Sequence, residues 1–154
     1  MEIPNKYIKQ YFIKDIKNID YRIQKIKRNI YNDSKSTNPV STTKALEKLN
    51  KNNILLLCGG QIRNEDYRVI LKYENNIKKI IGYGESKNLI KKFCEKNHLD
   101  YIIFDTLEQA ILHIRIIKKL NDILLFSPMH ASLDQYKDYK DRGFNFNHLI
   151  KKYL

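Results

Sequence analysis

Short apolar runs alternate with longer amphipathic stretches along this chain. The runs predict strands at residues 29–32, 53–58, 79–82, 101–104 and 123–126. The amphipathic stretches predict helices at 41–50, 86–97, 107–120, 133–141 and 144–153. This alternation is typical of a mostly parallel sheet with helices on both faces. We therefore predict a Rossmann-like α/β fold.

The stretch at 86–97 shows the helical pattern clearly, with apolar side chains on one face and lysines on the other. The apolar face consists of Leu89, Ile90, Phe93 and Cys94. A doubly wound sheet built from such units binds its ligands at the C-terminal ends of the strands. Polar residues that directly follow a strand are therefore the candidates for a site.

Two polar motifs stand at such positions. Residues 32–38 read NDSKSTN at the end of the first predicted strand, and residues 127–143 read SPMHASLDQYKDYKDRG after the last one. In the second motif, Ser132 is predicted as the N-cap of the helix at 133–141. The free N–H groups at such a helix end attract a carboxylate or a phosphate.

Each of these residues also has a simpler interpretation when it is taken singly. A serine in the position of Ser132 more often only caps a helix. Asp33 and Asn38 have the side chains that shape turns, and Lys35 reads as one more solvated lysine. Only the combination of the motifs favours a binding site.

Together, the motifs resemble the C-terminal domain of the Mur ligases, in the branch that adds D-glutamate. There the patterns read NDSKATN and SPACASFDQFxxFxxRG, and an LLL-x-GG strand end at 55–60 lies between them here. The resemblance covers residues 21–154 but only the last third of a full ligase. Residues 1–20 carry no motif, and we interpret them as a tail or a remnant of a preceding domain.

The resemblance implies a role in the synthesis of peptidoglycan precursors. In this family, ATP with Mg²⁺ activates the carboxylate of UDP-N-acetylmuramoyl-L-alanine as an acyl phosphate, and the amine of D-glutamate attacks it. The C-terminal domain brings D-glutamate. No G-x-x-x-x-G-K-[ST] phosphate-binding string occurs in this chain. We therefore expect the chain to be inactive and to bind no cofactor by itself, with ATP and the UDP-sugar held by domains it lacks.

The resemblance also implies roles for particular residues. Lys35 and Thr37 match positions beside D-glutamate, and Lys35 is also the candidate catalytic residue. Ser132, with Leu133 next to it, matches the position that binds one carboxylate of D-glutamate. Tyr139 matches an aromatic position whose backbone amide contributes to the same binding.

Three further positions carry charge. Arg63 stands where the family has a second substrate lysine, and its longer planar head changes the fit while keeping the charge. Arg22 belongs to a segment that reads HRxE in the family, of which only the arginine is kept. Arg22 and Asp33 match residues that contact the nucleotide when the domains of a ligase close.

The composition limits the possible functions of the chain. The formal net charge is +12, but the lysines are spread along the chain among acidic residues and no nucleic-acid motif accompanies them. We therefore expect no nucleic-acid partner. The open alternative to a ligase domain is a degenerate Mur-type domain that acts as a non-enzymatic binding module.

Cysteine spacing and hydropathy argue against a metal site, a disulfide framework and a membrane segment. Cys58 and Cys94 lie far apart, which supports neither a metal site nor a disulfide framework, and we expect buried thiols. The longest apolar run has five residues, at 54–58. We therefore expect no membrane segment and a cytoplasmic location.

Overall fold

The computed structural model describes residues 20–154. They form a six-stranded sheet in the spatial order β1-β2-β6-β3-β4-β5, in which only the β1–β2 pair is antiparallel. The strands are β1 (Gln24–Lys27), β2 (Ile30–Asn32), β3 (Ile54–Gly59), β4 (Ile77–Tyr83), β5 (Tyr101–Phe104) and β6 (Ile123–Phe126). The helices are α1 (Pro39–Leu49), α2 (Lys87–Lys96), α3 (Leu107–Ile117) and α4 (Tyr139–Tyr153), with a 3₁₀ segment at Tyr67–Asn76.

The central strands are buried on both faces, which explains their unbroken apolar runs. In β3, Leu55 and Leu57 pack against α3 and α4, while Leu56 and Cys58 point to the opposite face. Successive side chains of a strand point to opposite sides, so β3 contributes to both cores. The second core includes α1, the 3₁₀ segment and α2. The predicted Rossmann-like fold with helices on both faces is confirmed.

The loops after β2, β3 and β6 leave the sheet at one edge, because these three strands are parallel and β6 lies between the other two. After β3, the chain adds β4 and then β5 on one side of β3. β6 pairs with the opposite side of β3. The strand order therefore reverses between β6 and β3. Such a reversal opens a crevice at the C-terminal ends of the strands.

The predicted boundaries of the last two helices are wrong. The predicted helices at 133–141 and 144–153 are a single helix, α4, which begins at Tyr139. Residues 133–135 form only a turn, in which the backbone oxygen of Ser132 accepts from the N–H groups of Gln135 and Tyr136. The helix begins later because the Asp138 side chain accepts from the backbone N–H groups of the first turn, as an N-cap does.

The other differences concern short elements. β1 and the 3₁₀ segment are absent from the predicted set. β1 has only four residues, at the edge of the sheet, and Ile26 is its only apolar residue, so it gives no apolar run. The tail interpretation of residues 1–20 concerns residues that, apart from Asp20, lie outside the described part. None of the helices within residues 20–154 is both long and apolar enough to cross a membrane.

Candidate substrate-binding site

The loops after β2, β3 and β6 are tied together by backbone hydrogen bonds at the strand ends. The N–H of Asp33 donates to the oxygen of Phe126 at 2.7 Å, and the N–H of Met129 donates to the oxygen of Ser36 at 3.1 Å. On the other side, the N–H of Gln61 donates to the oxygen of Ala131 at 2.9 Å. The loop after β6 therefore joins the other two, and the two sequence motifs meet in space.

Asp33 is almost completely buried in this network. One carboxylate oxygen accepts from the N–H of Ile23 at 3.1 Å, and the other accepts from the hydroxyl of Ser127 at 2.7 Å. Burial raises the pKa of Asp33, although these hydrogen bonds and the charge of Arg22 oppose the rise. In this conformation both oxygens of Asp33 are used within the domain, where they fix the loop after β2.

Lys35 and Tyr139 lie close together. The Lys35 Nζ lies 5.4 Å from the centre of the Tyr139 ring, a cation–π contact. The backbone N–H of Tyr139, the first residue of α4, has no acceptor among residues 20–154. Thr37 is half-buried in the same loop. Asn38 caps α1 by accepting from the N–H of Ser41 at 2.9 Å, so its side chain has a structural role, at a helix start and not in a turn.

Ser132 is buried in the loop after β6, but it does not cap a helix. Its hydroxyl oxygen instead accepts a hydrogen bond from Nη1 of Arg142 at 2.7 Å. The anion-attracting feature beside Ser132 is therefore the guanidinium of Arg142. The N-terminus of α4 is already partly occupied by the carboxylate of Asp138.

Arg142 is 1% exposed and lies on the buried face of α4, four residues before Phe146. Its guanidinium donates to the hydroxyl and the backbone oxygen of Ser34, at 3.0 and 2.7 Å, and to the backbone oxygen of His130 at 2.6 Å. No carboxylate of the described residues forms an ion pair with it. Burial lowers the pKa of Arg142, yet a guanidinium stays protonated in proteins.

Arg63 lies in the loop that follows β3, next to the Ser132 loop, and its side chain is exposed. Gly59 and Gly60 lead into this loop with φ of 142° and 152°, values that favour glycine. A Cβ on Gly60 would lie 2.5 Å from the Ser132 hydroxyl oxygen. The paired glycines thus allow the two loops to approach each other closely.

The remaining predicted residues lie at the border of this edge. Leu133 is 61% exposed, next to Ser132. Arg22 is half-buried and close enough for its charge to lower the pKa of Asp33. Val40, Ile62 and Phe144 are also exposed apolar side chains in the loops and helix ends of this region.

The loop after β6 also carries a buried histidine. His130 replaces a cysteine of the family pattern, and its Nε2 lies 2.6 Å from the hydroxyl oxygen of Tyr67. Burial lowers the pKa of His130 to about 4, so this imidazole is neutral at pH 7. Its Nδ1 has no partner among residues 20–154.

Arg142 is the functional candidate that sequence reasoning missed. The arginine is part of the quoted motif, and its spacing from Phe146 and Ile150 puts it on the apolar face of α4. A charged residue on an apolar face was the available signal, because burying a charge is costly unless it serves a purpose.

The described residues show no metal cluster and no disulfide. Within the described residues, no group of three or more His, Cys, Asp or Glu side chains is placed to hold a metal ion. Cys58 and Cys94 are free and buried, as predicted.

Comparison with known proteins yields close relatives in sequence. The chain is 41% identical over 125 residues to the UDP-N-acetylmuramoylalanine--D-glutamate ligase of Hydrogenobaculum sp. (strain Y04AAS1), an alignment that covers 81% of this chain and 30% of that protein. The ligase of the same name from Oenococcus oeni is 33% identical over 140 residues, covering 88% of this chain and 32% of the relative. No family model matches the chain.

The fold has a counterpart among solved structures. A murein peptide ligase from Psychrobacter arcticus 273-4 superimposes with a TM-score of 0.60 over 89% of this chain and 30% of that one. The sequence identity is 13%, so this likeness concerns the fold alone.

The fold defines the chain as an α/β domain with a Rossmann-like, mostly parallel sheet. The chain belongs to the Mur ligase family and corresponds to the C-terminal domain of its D-glutamate-adding members. It spans about 30% of the length of the relatives it matches.

Proposed function

We propose that this chain is the D-glutamate-binding domain of an ATP-dependent ligase that adds D-glutamate to UDP-N-acetylmuramoyl-L-alanine. The observation that carries the proposal is the meeting of Lys35, Ser132, Arg142 and the free amide of Tyr139 at one edge of the sheet. A dianionic substrate requires such cationic and N–H donors at its carboxylates. The names of the relatives support D-glutamate as that substrate.

In this proposal, Lys35 and Thr37 on the loop after β2 hold one end of D-glutamate. Ser132, Leu133 and the amide of Tyr139 hold the other. Arg63 extends the positive charge from the loop after β3. Since the Arg63 side chain is exposed, it is free to turn toward the substrate.

The nucleotide belongs to the complete enzyme. We propose that ATP and Mg²⁺ are bound by a domain carrying the phosphate-binding loop, and that Arg22 reaches the nucleotide when the domains close. Asp33 contributes mainly by fixing the loop that presents Lys35, because both its oxygens are hydrogen-bonded within the domain. The exposed apolar side chains at this edge, Val40, Ile62, Leu133 and Phe144, provide a surface for the neighbouring domain to cover.

The experiment is reconstitution. The 154-residue chain is mixed with, or fused to, the N-terminal and central domains of a D-glutamate-adding Mur ligase. We expect ADP release that depends on D-glutamate and on UDP-N-acetylmuramoyl-L-alanine together, and no ATP hydrolysis by the chain alone.

Two controls decide between the alternatives. The matched control replaces D-glutamate by L-glutamate, which has the same charges. Binding of D-glutamate without any reconstituted ligase activity would favour a non-enzymatic binding module. ATP hydrolysis by the pure chain would contradict the proposal that another domain of the ligase binds ATP.

A further inference from the structure

Ser132 has a hydrogen-bonding capacity that its surroundings use only in part. A serine hydroxyl has one donor and two acceptor positions. The Nη1 of Arg142 occupies one acceptor position at 2.7 Å. An arginine offers donors only, so the hydroxyl proton of Ser132 cannot point to it. The hydroxyl of Tyr83 also lies beside Ser132 and has no hydrogen-bond partner among residues 20–154. Donation from Tyr83 to the second acceptor position of Ser132 satisfies the Tyr83 proton and leaves the Ser132 proton available to a ligand.

The guanidinium that imposes this orientation is itself held firmly. Ser34 binds it through both its hydroxyl and its backbone oxygen, and the backbone oxygen of His130 binds it as well. These contacts join the loop after β2, the loop after β6 and α4. Gly60 closes the other side, because even a methyl group there would lie 2.5 Å from the Ser132 oxygen.

The charge of Arg142 is also uncompensated within the domain. All its acceptors are neutral oxygens, and no described carboxylate forms an ion pair with it. Buried charges are usually paired, because burying an unpaired charge is costly. The hydroxyl of Tyr83, in the same region and near Arg142, is buried without a partner among residues 20–154. Two buried polar groups, the guanidinium of Arg142 and the hydroxyl of Tyr83, thus lie on the inner side of Ser132.

We propose that Arg142 is a positioning residue for the substrate carboxylate. It turns the Ser132 hydroxyl proton into the site and keeps a positive charge directly behind that hydroxyl, without contacting the substrate itself. The inference rests on the proposed binding of D-glutamate by this edge of the sheet.

The test is a double-mutant cycle on D-glutamate affinity, measured by ¹H–¹⁵N NMR titration of the full 154-residue chain. Arg142→Lys keeps the charge but loses the planar guanidinium, which donates hydrogen bonds to Ser34, His130 and Ser132 at the same time. We expect Arg142→Lys and Ser132→Ala each to weaken binding about tenfold. The double variant should bind no more weakly than Ser132→Ala alone, because Arg142 acts through Ser132.

Two further variants keep the test decisive. Ser34→Ala loosens the guanidinium and leaves Arg142 and Ser132 in place, so it serves if Arg142→Lys fails to fold. The Ser34 hydroxyl also donates to the backbone oxygen of Tyr139 at 2.8 Å, so this variant should weaken binding severalfold in the wild-type background and clearly less in the Ser132→Ala background. Arg68→Lys, at an exposed arginine of the 3₁₀ segment, is the matched control and should leave the affinity unchanged.

The possible failures are distinguishable. If the single losses of affinity multiply in the double variants, Arg142 acts independently of Ser132 and the positioning role is wrong, while D-glutamate binding stands. Unchanged affinity in a folded Arg142→Lys variant has the same meaning. If the wild-type chain does not bind D-glutamate, both the proposed function and this inference are overturned.

Discussion

Ser132 is the residue whose hydroxyl we expect to bind a carboxylate of D-glutamate directly. Ser132→Ala removes one donor to a charged group, which should cost roughly 1.5 to 3 kcal/mol, about ten- to a hundredfold in kcat/KM for D-glutamate. Steady-state kinetics of the reconstituted ligase measures this. Thr43→Ala is the control, because the Thr43 hydroxyl binds only the backbone oxygen of Val40 on α1. Wild-type kinetics in Ser132→Ala would remove this residue from the site.

Arg63 tests whether the loop after β3 takes part in the site. Arg63→Ala should raise the KM for D-glutamate about tenfold and leave that for ATP unchanged, since a residue that binds only the amino acid does not affect the nucleotide. Arg63→Lys, which restores the residue of the family pattern, should recover most of the loss. Arg68→Ala changes an exposed arginine of the neighbouring 3₁₀ segment and should change neither constant. An equal rise of both KM values would place Arg63 elsewhere.

His130 gives the domain a particular pH dependence. Its pKa falls from an ordinary value of 6.5 to about 4 in the folded protein, so below pH 6.5 the unfolded chain binds a proton more readily than the folded one. The free energy of unfolding should therefore fall as the pH drops from 6.5 to 4, by about 3 kcal/mol at most. Urea unfolding over this range should show a shallower loss for His130→Gln. Parallel curves for the two proteins would show that His130 does not contribute.

At the scale of elements, α4 depends on Asp138 for its first turn. The carboxylate accepts from the N–H groups of Lys140 and Asp141 at 2.9 Å. Asp138→Ala should lower the free energy of unfolding by about 1 kcal/mol, and Asp138→Asn should lower it much less, because asparagine caps equally well. Equilibrium unfolding in urea distinguishes the two variants. Equal stability of Asp138→Ala and the wild type would contradict the capping role.

The strands and most helices were predictable because one periodicity governs each of them. β3, β5 and β6 begin and end within a residue of their predicted limits, since unbroken apolar runs mark strands buried on both faces. The helix at 133–141 was not predictable in this way. Both Ser132 and Asp138 are good N-cap residues, and no local pattern decides between them; in the structure Asp138 caps α4, while the Ser132 hydroxyl accepts from Arg142.

At the scale of the whole molecule, the motifs predicted which loops would meet, because C-terminal ends of parallel strands share an edge. They did not predict how Ser132 is held, since its partner Arg142 comes from a helix face that the pattern assigns to the core. Nor did they predict that Asp33 would be buried with both oxygens occupied. The position of Arg142 depends on Ser34, 108 positions away, and the burial of Asp33 depends on Ser127, 94 positions away. No local pattern records such contacts.

The candidate residues lie at a solvent-exposed end of the sheet, where a second domain could complete the amino-acid site. Arg63 and Leu133 are exposed there, and the chain spans about 30% of its relatives. If a second domain completes the site, the isolated chain should bind D-glutamate more weakly than the reconstituted ligase does. Comparison of the NMR dissociation constant with the kinetic constants of the ligase measures the difference. Equal affinities would show that this chain holds the complete amino-acid site.

The most direct measurement is a ¹H–¹⁵N NMR titration of the wild-type chain with D-glutamate, with L-glutamate at the same ionic strength as the control. Binding at the proposed site predicts saturable shifts confined to residues 33–37, 60–63 and 130–143, and weaker shifts with L-glutamate. Shifts spread over the lysines of the surface, equal for both enantiomers, or no saturable shift at all, would contradict a D-glutamate site in this domain.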